Sequence, residues 1–201
     1  MPTLDSNAWI TLNDAKEHLH IGISETEFDD QLINLANRSY KILEKYLGRQ
    51  MKSQSYTEYY DGPDEYKLVL RKYPVVSVTT VHVDIERDFG SDTLVDSGNY
   101  FVDTNVDTSV GTIEFFDADG SGPVWFEPGI RNVKVVYTAG FATIPNDLVH
   151  AGCMHVAWLF KRSDTEAMKN ASLGGKTESY ESDMIPHYIK QVLLPYKDWA
   201  V

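Results

Sequence analysis

One cysteine, Cys153, stands in 201 residues, so no intrachain disulfide can staple the fold and a reducing compartment is expected. Long apolar runs are missing too. Nothing approaches the roughly 18 consecutive apolar residues that span a bilayer, which argues against a membrane partner. The opening Met-Pro-Thr-Leu-Asp-Ser has neither the basic nor the apolar region of a secretory signal, so synthesis in the cytoplasm is expected. Basic residues are scarce, 18 against 30 acidic ones, for a net charge of −12. Binding to nucleic acid regardless of sequence depends on Lys and Arg, so a phosphate-gripping surface is disfavoured. Such acidity suits a solubility-conferring surface, or one that lies near DNA without holding it. Also absent are an internal repeat and a Gly-x-Ser-x-Gly elbow. No specific catalytic signal remains, and the expectation is a protein that is not an enzyme and needs no cofactor.

What is present reads as helices around a β-rich middle. Thr11 with Asp14, and Ser24 with Glu27, have capping-box spacing, and Ile23 with Phe28 has the spacing of a hydrophobic staple. A short first helix places Leu12, Ala15 and Leu19 on one face. A second, from about Glu25 to Leu47, carries Phe28, Leu32, Leu35, Ile42, Leu43 and Tyr46 at helical spacing, with Gly48 as terminator. A third spans about Asn146 to Lys161, with Leu148, Val149, Gly152, Val156, Leu159 and Phe160 on its apolar side. Interior glycine costs about 1 kcal/mol against alanine, so Gly152 predicts a close backbone approach, by the second helix lying antiparallel.

Between Ser55 and Tyr137 the period becomes that of strands. Tyr56–Tyr60 and Tyr66–Leu70 flank the turn-rich Asp61-Gly62-Pro63-Asp64, which predicts a hairpin. Val75–Asp84, Asn99–Asp103, Thr112–Phe116 and Val133–Tyr137 supply further strands. Val133 to Leu148 is the best-punctuated stretch: a β-branched run ends at Gly140, which tolerates positive φ, and Pro145 opens a helix. Asp147 adds negative charge at the positive end of that helix's dipole.

The fold class is therefore α+β: a bundle of about three helices with an inserted, mostly antiparallel β-subdomain and a C-terminal arm. The expected segments are 1–50 (N-terminal helices), 51–142 (β-rich insertion), 143–163 (core helix) and 164–201 (linker and arm). Ser163 to Asp183 is polar and interrupted by Gly174-Gly175, so it reads as a tether. Ile185, Tyr188, Ile189, Val192 and Leu193 then recur at i, i+3, i+4, i+7 and i+8, with Pro186 at the start and Pro195 at the stop. A helix this short must bury its stripe on something. With Tyr196 and Trp199, amphipathic residues favoured at binding hot spots, it reads as a partner-docking arm. The alternative is that it folds back on its own subunit. On the arm reading, deletion after Asp183 leaves the rest folded.

Four weaker motifs compete with bland readings. Asn170-Ala171-Ser172-Leu173-Gly174-Gly175-Lys176-Thr177 ends like a phosphate loop, but lacks its first glycine, the preceding strand and the following helix. Asp117-Ala118-Asp119-Gly120-Ser121-Gly122 opens like a calcium loop, yet Pro128 stands at the twelfth position, so a strand-connecting turn fits better. His150 and His155 are five apart and diverge by about 140° on a helix, which disfavours a zinc pair. Cys153, in the same helix among apolar neighbours, reads as a structural thiol. No metal site is expected.

Four phrases in order carry a resemblance. They are Ile10-Thr11-Leu12-Asn13-Asp14-Ala15-Lys16-Glu17-His18-Leu19, Tyr46-Leu47-Gly48-Arg49, Tyr73-Pro74-Val75-Val76-Ser77-Val78, and Tyr137-Thr138-Ala139-Gly140-Phe141 before Ile144-Pro145. This series resembles the head–tail connector (adaptor) family of long-tailed double-stranded DNA bacteriophages. Asp84 to Arg131 and the tail beyond Ser163 match no phrase of that pattern.

The resemblance implies a structural protein at the head–tail junction of a virion. Its expected form is a ring, commonly twelve-fold, beneath the portal protein, which extends the DNA channel and docks a downstream stopper or tail protein. DNA would pass through without specific binding. The portal-docking residues would be Ile185, Tyr188, Ile189, Val192, Leu193, Tyr196 and Trp199, as helix-in-groove recognition would use them. Two alternatives stay open: a neck or tail-completion protein at another level of the particle, and an enzyme or ligand-binding domain with a dispersed site.

Overall fold

The computed structural model describes residues 1–103, 111–119, 122–162, 170–173, 176–179 and 184–198. The chain divides into two units, Met1–Gln50 with Ile144–Val201, and Met51–Thr143. The first contains α1 (Leu12–Leu19), α2 (Asp29–Leu47), α3 (Asn146–Arg162) and α4 (His187–Leu193). The second contains β1 (Gln54–Gly62), β2 (Lys67–Val69), β3 (Val75–Val83), β4 (Tyr100–Asp103), β5 (Thr112–Phe115) and β6 (Gly129–Ala139). A mixed α+β class with antiparallel pairing follows directly.

In the helical unit α1 begins with the expected capping box. The Asp14 amide donates to Thr11 Oγ1 at 3.2 Å and the Thr11 amide donates to the Asp14 carboxylate at 2.7 Å. The box at Ser24 does not open α2, which starts at Asp29 with Phe28 at its N-cap and no side-chain bond there. Ile23, rather than stapling onto Phe28, is exposed. The cause is Lys16: its ammonium donates to the carbonyls of Ile23 and Glu25, fixing 21–28 as a loop before the helix can begin.

Phe28 packs edge-on against Phe160 with ring centres 5.5 Å apart, and Ser39 hydrogen-bonds to His155 at 2.8 Å. Progress along α2 thus runs backward along α3, an antiparallel pair. Gly152, however, makes way for the N-terminal segment rather than for α2. A Cβ there would stand 2.9 Å from Ile10 Cγ2 and 3.9 Å from Trp9 Cβ. We expect Gly152→Leu to overpack this contact and cost about 1–3 kcal/mol, read as a lower midpoint in urea denaturation. A midpoint equal to wild type would refute the close approach.

In the β unit the strand orders are β1-β6-β3 and β2-β5-β4. Val133, Val135, Tyr137 and Ala139 alternate inward from β6 to meet Leu68, Ile113 and Phe115, with Phe126 stacked on Phe115 at 3.7 Å. The hairpin expected across Asp61–Asp64 does not form: β1 pairs with β6 and β2 with β5. Gly62 explains this, since it continues the β1 ladder opposite Gly129 and gives its amide to Asn132 Oδ1 at 2.8 Å. A Cβ at Gly62 would fall 1.9 Å from the Glu127 carbonyl oxygen, so the ladder demands glycine here. The hydroxyls of Tyr60 and Tyr137 both donate to Glu58 Oε2, and accept from the amides of Arg71 and Lys72. Burial and the adjacent carboxylate push the Tyr60 phenol up to about 12.

The other motifs also find places. The Asp117 turn closes by a bond from its amide to the Gly122 carbonyl at 2.9 Å and links β5 to Pro123. Within the expected tether, Asn170–Leu173 (β7) and Lys176–Ser179 (β8) pair antiparallel, so the phosphate-loop-like phrase contributes strands. Gly174 and Gly175 lie outside the described residues.

Candidate docking surfaces

The C-terminal segment uses its stripe inside its own unit. Ile185, Ile189 and Leu193 are buried, and α4 packs on α3. Tyr188 is 53 % exposed, Val192 and Tyr196 are half-buried, and Trp199 lies outside the described residues. The Tyr196 hydroxyl donates to Asp147 at 2.7 Å, and the Asp198 amide donates to the Leu47 carbonyl at 2.9 Å. Apolar burial that short helices require is met by α3 in this conformation. Of the seven expected docking residues, Ile185, Ile189 and Leu193 have no surface to offer in this conformation.

His155 joins this segment to the helices. The Met184 carbonyl can only accept, so the 3.0 Å contact assigns the proton to Nε2, leaving Nδ1 to accept from Ser39. Burial lowers its pKa from the ordinary 6.5. Burial and the nearby His150, His20 and Lys161 lower that of His18 as well. A base with a depressed folded pKa binds fewer protons folded than unfolded as pH falls below 6.5. Stability is then full above that pH and declines through the window beneath it. We expect the thermal midpoint to fall between pH 7 and the carboxylate range, with a shallower slope in His155→Gln. Equal slopes in the two proteins would overturn this assignment. Asp5 and Asp84, whose pKa values lie below the usual 3.8, add their losses only at lower pH.

Cys153 is buried, its thiol set against the Asp14 carbonyl and pushed up to about 11, mainly by burial. A thiol so rarely ionised is a poor nucleophile. Among the described residues, no group of three or more His, Cys, Asp or Glu is placed to hold a metal ion. No described helix is long and apolar enough to cross a membrane.

Two surface features stand out in the helical unit. The first is a cleft of about 400 Å³ with an apolar floor of Met154, Ala157 and Trp158, bordered by His18, Lys161, Arg162 and Tyr188. Arg162 lies over the Trp158 ring, 5.0 Å from its centre. Among the described residues lining it, none is acidic. The second is the loop at Ile23, whose side chain is 68 % exposed beside exposed Glu25 and Glu27. The loop is held from beneath by Lys16, only 2 % exposed, which bonds to the Ile23 and Glu25 carbonyls at 3.1 and 2.6 Å and pairs with Asp29 at 2.5 Å. In the β unit, a groove of about 320 Å³ is flanked by Val124 and the 59 % exposed Trp125. Sequence reasoning missed these features because α3 carries two stripes. The one noticed buries Leu148, Gly152 and Val156; Met154, Ala157, Trp158 and Lys161, at i, i+3, i+4 and i+7, form another.

No curated protein matches the chain. Among solved structures, a chain in the neck of an empty gene transfer agent (GTA) particle, computed with C6 symmetry, superposes with a TM-score of 0.58 at 18% identity. That match covers 100% of this chain and 95% of the other. A chain of the native gene transfer agent virion gives 0.60 at 18% identity, covering 99% and 94%. One from the neck of the native particle, computed with C12 symmetry, gives 0.58 at 16%, covering 100% and 94%. These likenesses establish a shared fold. The sequence model for head completion proteins matches residues 8–199, nearly the whole chain. The chain therefore belongs to the head completion protein family, structural components of the virion rather than enzymes.

Proposed function

We propose that this head completion protein is the connector, or adaptor, that forms a ring directly beneath the portal, extends the DNA channel and docks the next neck or tail protein. The observation that carries this level of assignment is where the four connector-like phrases fall. They coincide with the Thr11 capping box, the left-handed Gly48 cap of α2, the start of β3, and Gly140 at φ 110°. Each is a point that sets the chain's path, so the resemblance rests on fold-determining positions. Neck neighbours reconstructed with six- and twelve-fold symmetry support a ring of copies. Portal docking draws on the side of the C-terminal segment that stays at the surface, Tyr188, Val192 and Tyr196. A net charge of −12 suits a channel wall that DNA slides past.

A cryo-EM map of the assembled neck tests the reading. Density for this chain between portal and downstream protein is the expected result; density at another level assigns it to a different head- or tail-completion step. Purified protein should also leave duplex DNA unretarded at physiological salt, where non-specific binders act with Kd of about 10⁻⁴–10⁻⁶ M. Salt-sensitive retardation in that range would count against the channel wall.

A further inference from the structure

We infer that the α3 cleft receives the Ile23 loop of a second copy of this chain, making a head-to-tail contact between neighbours. The inference rests on the ring reading above and names its interface.

The loop is built rather than merely exposed. An ammonium buried as deeply as that of Lys16 loses its hydration, a cost met only when its donors find good acceptors. Lys16 directs them to two backbone carbonyls, Ile23 and Glu25, and forms an ion pair with the Asp29 carboxylate. The Ile23 side chain itself takes no part in this arrangement and points to solvent. The consequence is a loop fixed in one shape, with an apolar tip flanked by Glu25 and Glu27. Preorganisation of this kind lowers the entropy lost on binding.

The cleft has the opposite chemistry. Met154, an adaptable side chain, lies with Ala157 and Trp158 on its floor, able to take a branched aliphatic group. Lys161 and Arg162 line it as well, able to face carboxylates. Two copies that each carry −12 repel at long range, so a contact between them needs locally opposed charge. An acid-flanked isoleucine entering a cleft whose described lining holds Lys161 and Arg162 and no acidic residue meets that need. Loop and cleft are different sites on one chain. Such a heterologous contact leaves one copy's cleft and the other copy's loop unused, and repetition closes into a ring when the rotation allows.

The test uses particles that encode this chain. Lys161→Glu with Arg162→Glu should lower its copy number in purified particles at least tenfold, as should Glu25→Lys with Glu27→Lys. All four changes together should restore it. Ile23→Asp, at an exposed position that no fold contact needs, should give the same loss, with the thermal transition of the purified variant unchanged. Wild-type copy number in the loop or cleft variants, or no rescue in the fourfold exchange, would overturn the contact while leaving the neck assignment intact. Absence of the wild-type chain from particles would instead overturn the neck assignment itself.

Discussion

A chain cut after Asp183 should lose the cooperative thermal transition of its helical unit. Three buried side chains go with the deleted residues, Ile185, Ile189 and Leu193. Full burial of such a side chain is worth about 1.5–3 kcal/mol, so the three together supply about 5–9 kcal/mol. A domain's whole stability is about 5–15 kcal/mol, so this loss is comparable with the whole of it. The cut also removes the Met184 carbonyl and leaves buried His155 with an unpaired Nε2 proton. A milder version, Leu193→Ala, should cost about 2–5 kcal/mol through the cavity it leaves. For a unit of about 100 residues that corresponds to a thermal midpoint lower by about 10 °C or more. Calorimetry of the full chain, the truncation and Leu193→Ala decides the matter. A truncated protein melting like the full chain would show that α4 is dispensable to the core.

This expectation reverses the one drawn from sequence, and the reversal shows which information a sequence carries. The period of Ile185, Tyr188, Ile189, Val192 and Leu193 reveals a stripe that must be buried, but it is silent about whose surface buries it. Pairing has the same limit. Each strand between Ser55 and Tyr137 was legible from alternation and flanking turns, yet the partner of β1 is β6, about 70 residues away, rather than β2. Local turn signals at Asp61–Asp64 favoured the near neighbour; the Gly62–Asn132 bond, invisible in sequence, favours the far one. Capping chemistry read correctly where the cap is local, as at Thr11. It failed at Ser24, because a lysine eight residues earlier holds the following backbone. The docking surfaces were the least legible part. Their residues are ordinary ones, and become a site only when α1, α3 and α4 bring His18, Trp158 and Tyr188 together.

Gly140→Ala should strongly destabilise the β unit. Gly140 has φ 110°, well beyond the ordinary left-handed region where side chains are occasionally tolerated. Forcing a side-chain-bearing residue there costs about 1–3 kcal/mol in backbone strain. Space adds to the cost: a Cβ would lie 2.8 Å from both the carbonyl carbon and oxygen of Lys52, and 2.9 Å from Ser53 Cα. These are backbone atoms and cannot swing aside. They are also fixed from both directions, by bonds from the Phe141 amide to Met51, from the Ser53 amide to Phe141, and from the Gly140 amide to Pro74. Relief would therefore require three chain segments to move, and overpacking of that kind adds about 1–3 kcal/mol. The combined expectation is about 2–6 kcal/mol, read as a lower urea midpoint. Gly48 supplies the control: its φ of 75° and ψ of 6° are ordinary for a helix C-cap, where asparagine also occurs, so Gly48→Asn should cost far less. If both substitutions shifted the midpoint equally, the Gly140 effect would be conformational alone, and the proposed backbone contact with Lys52 and Ser53 would be wrong.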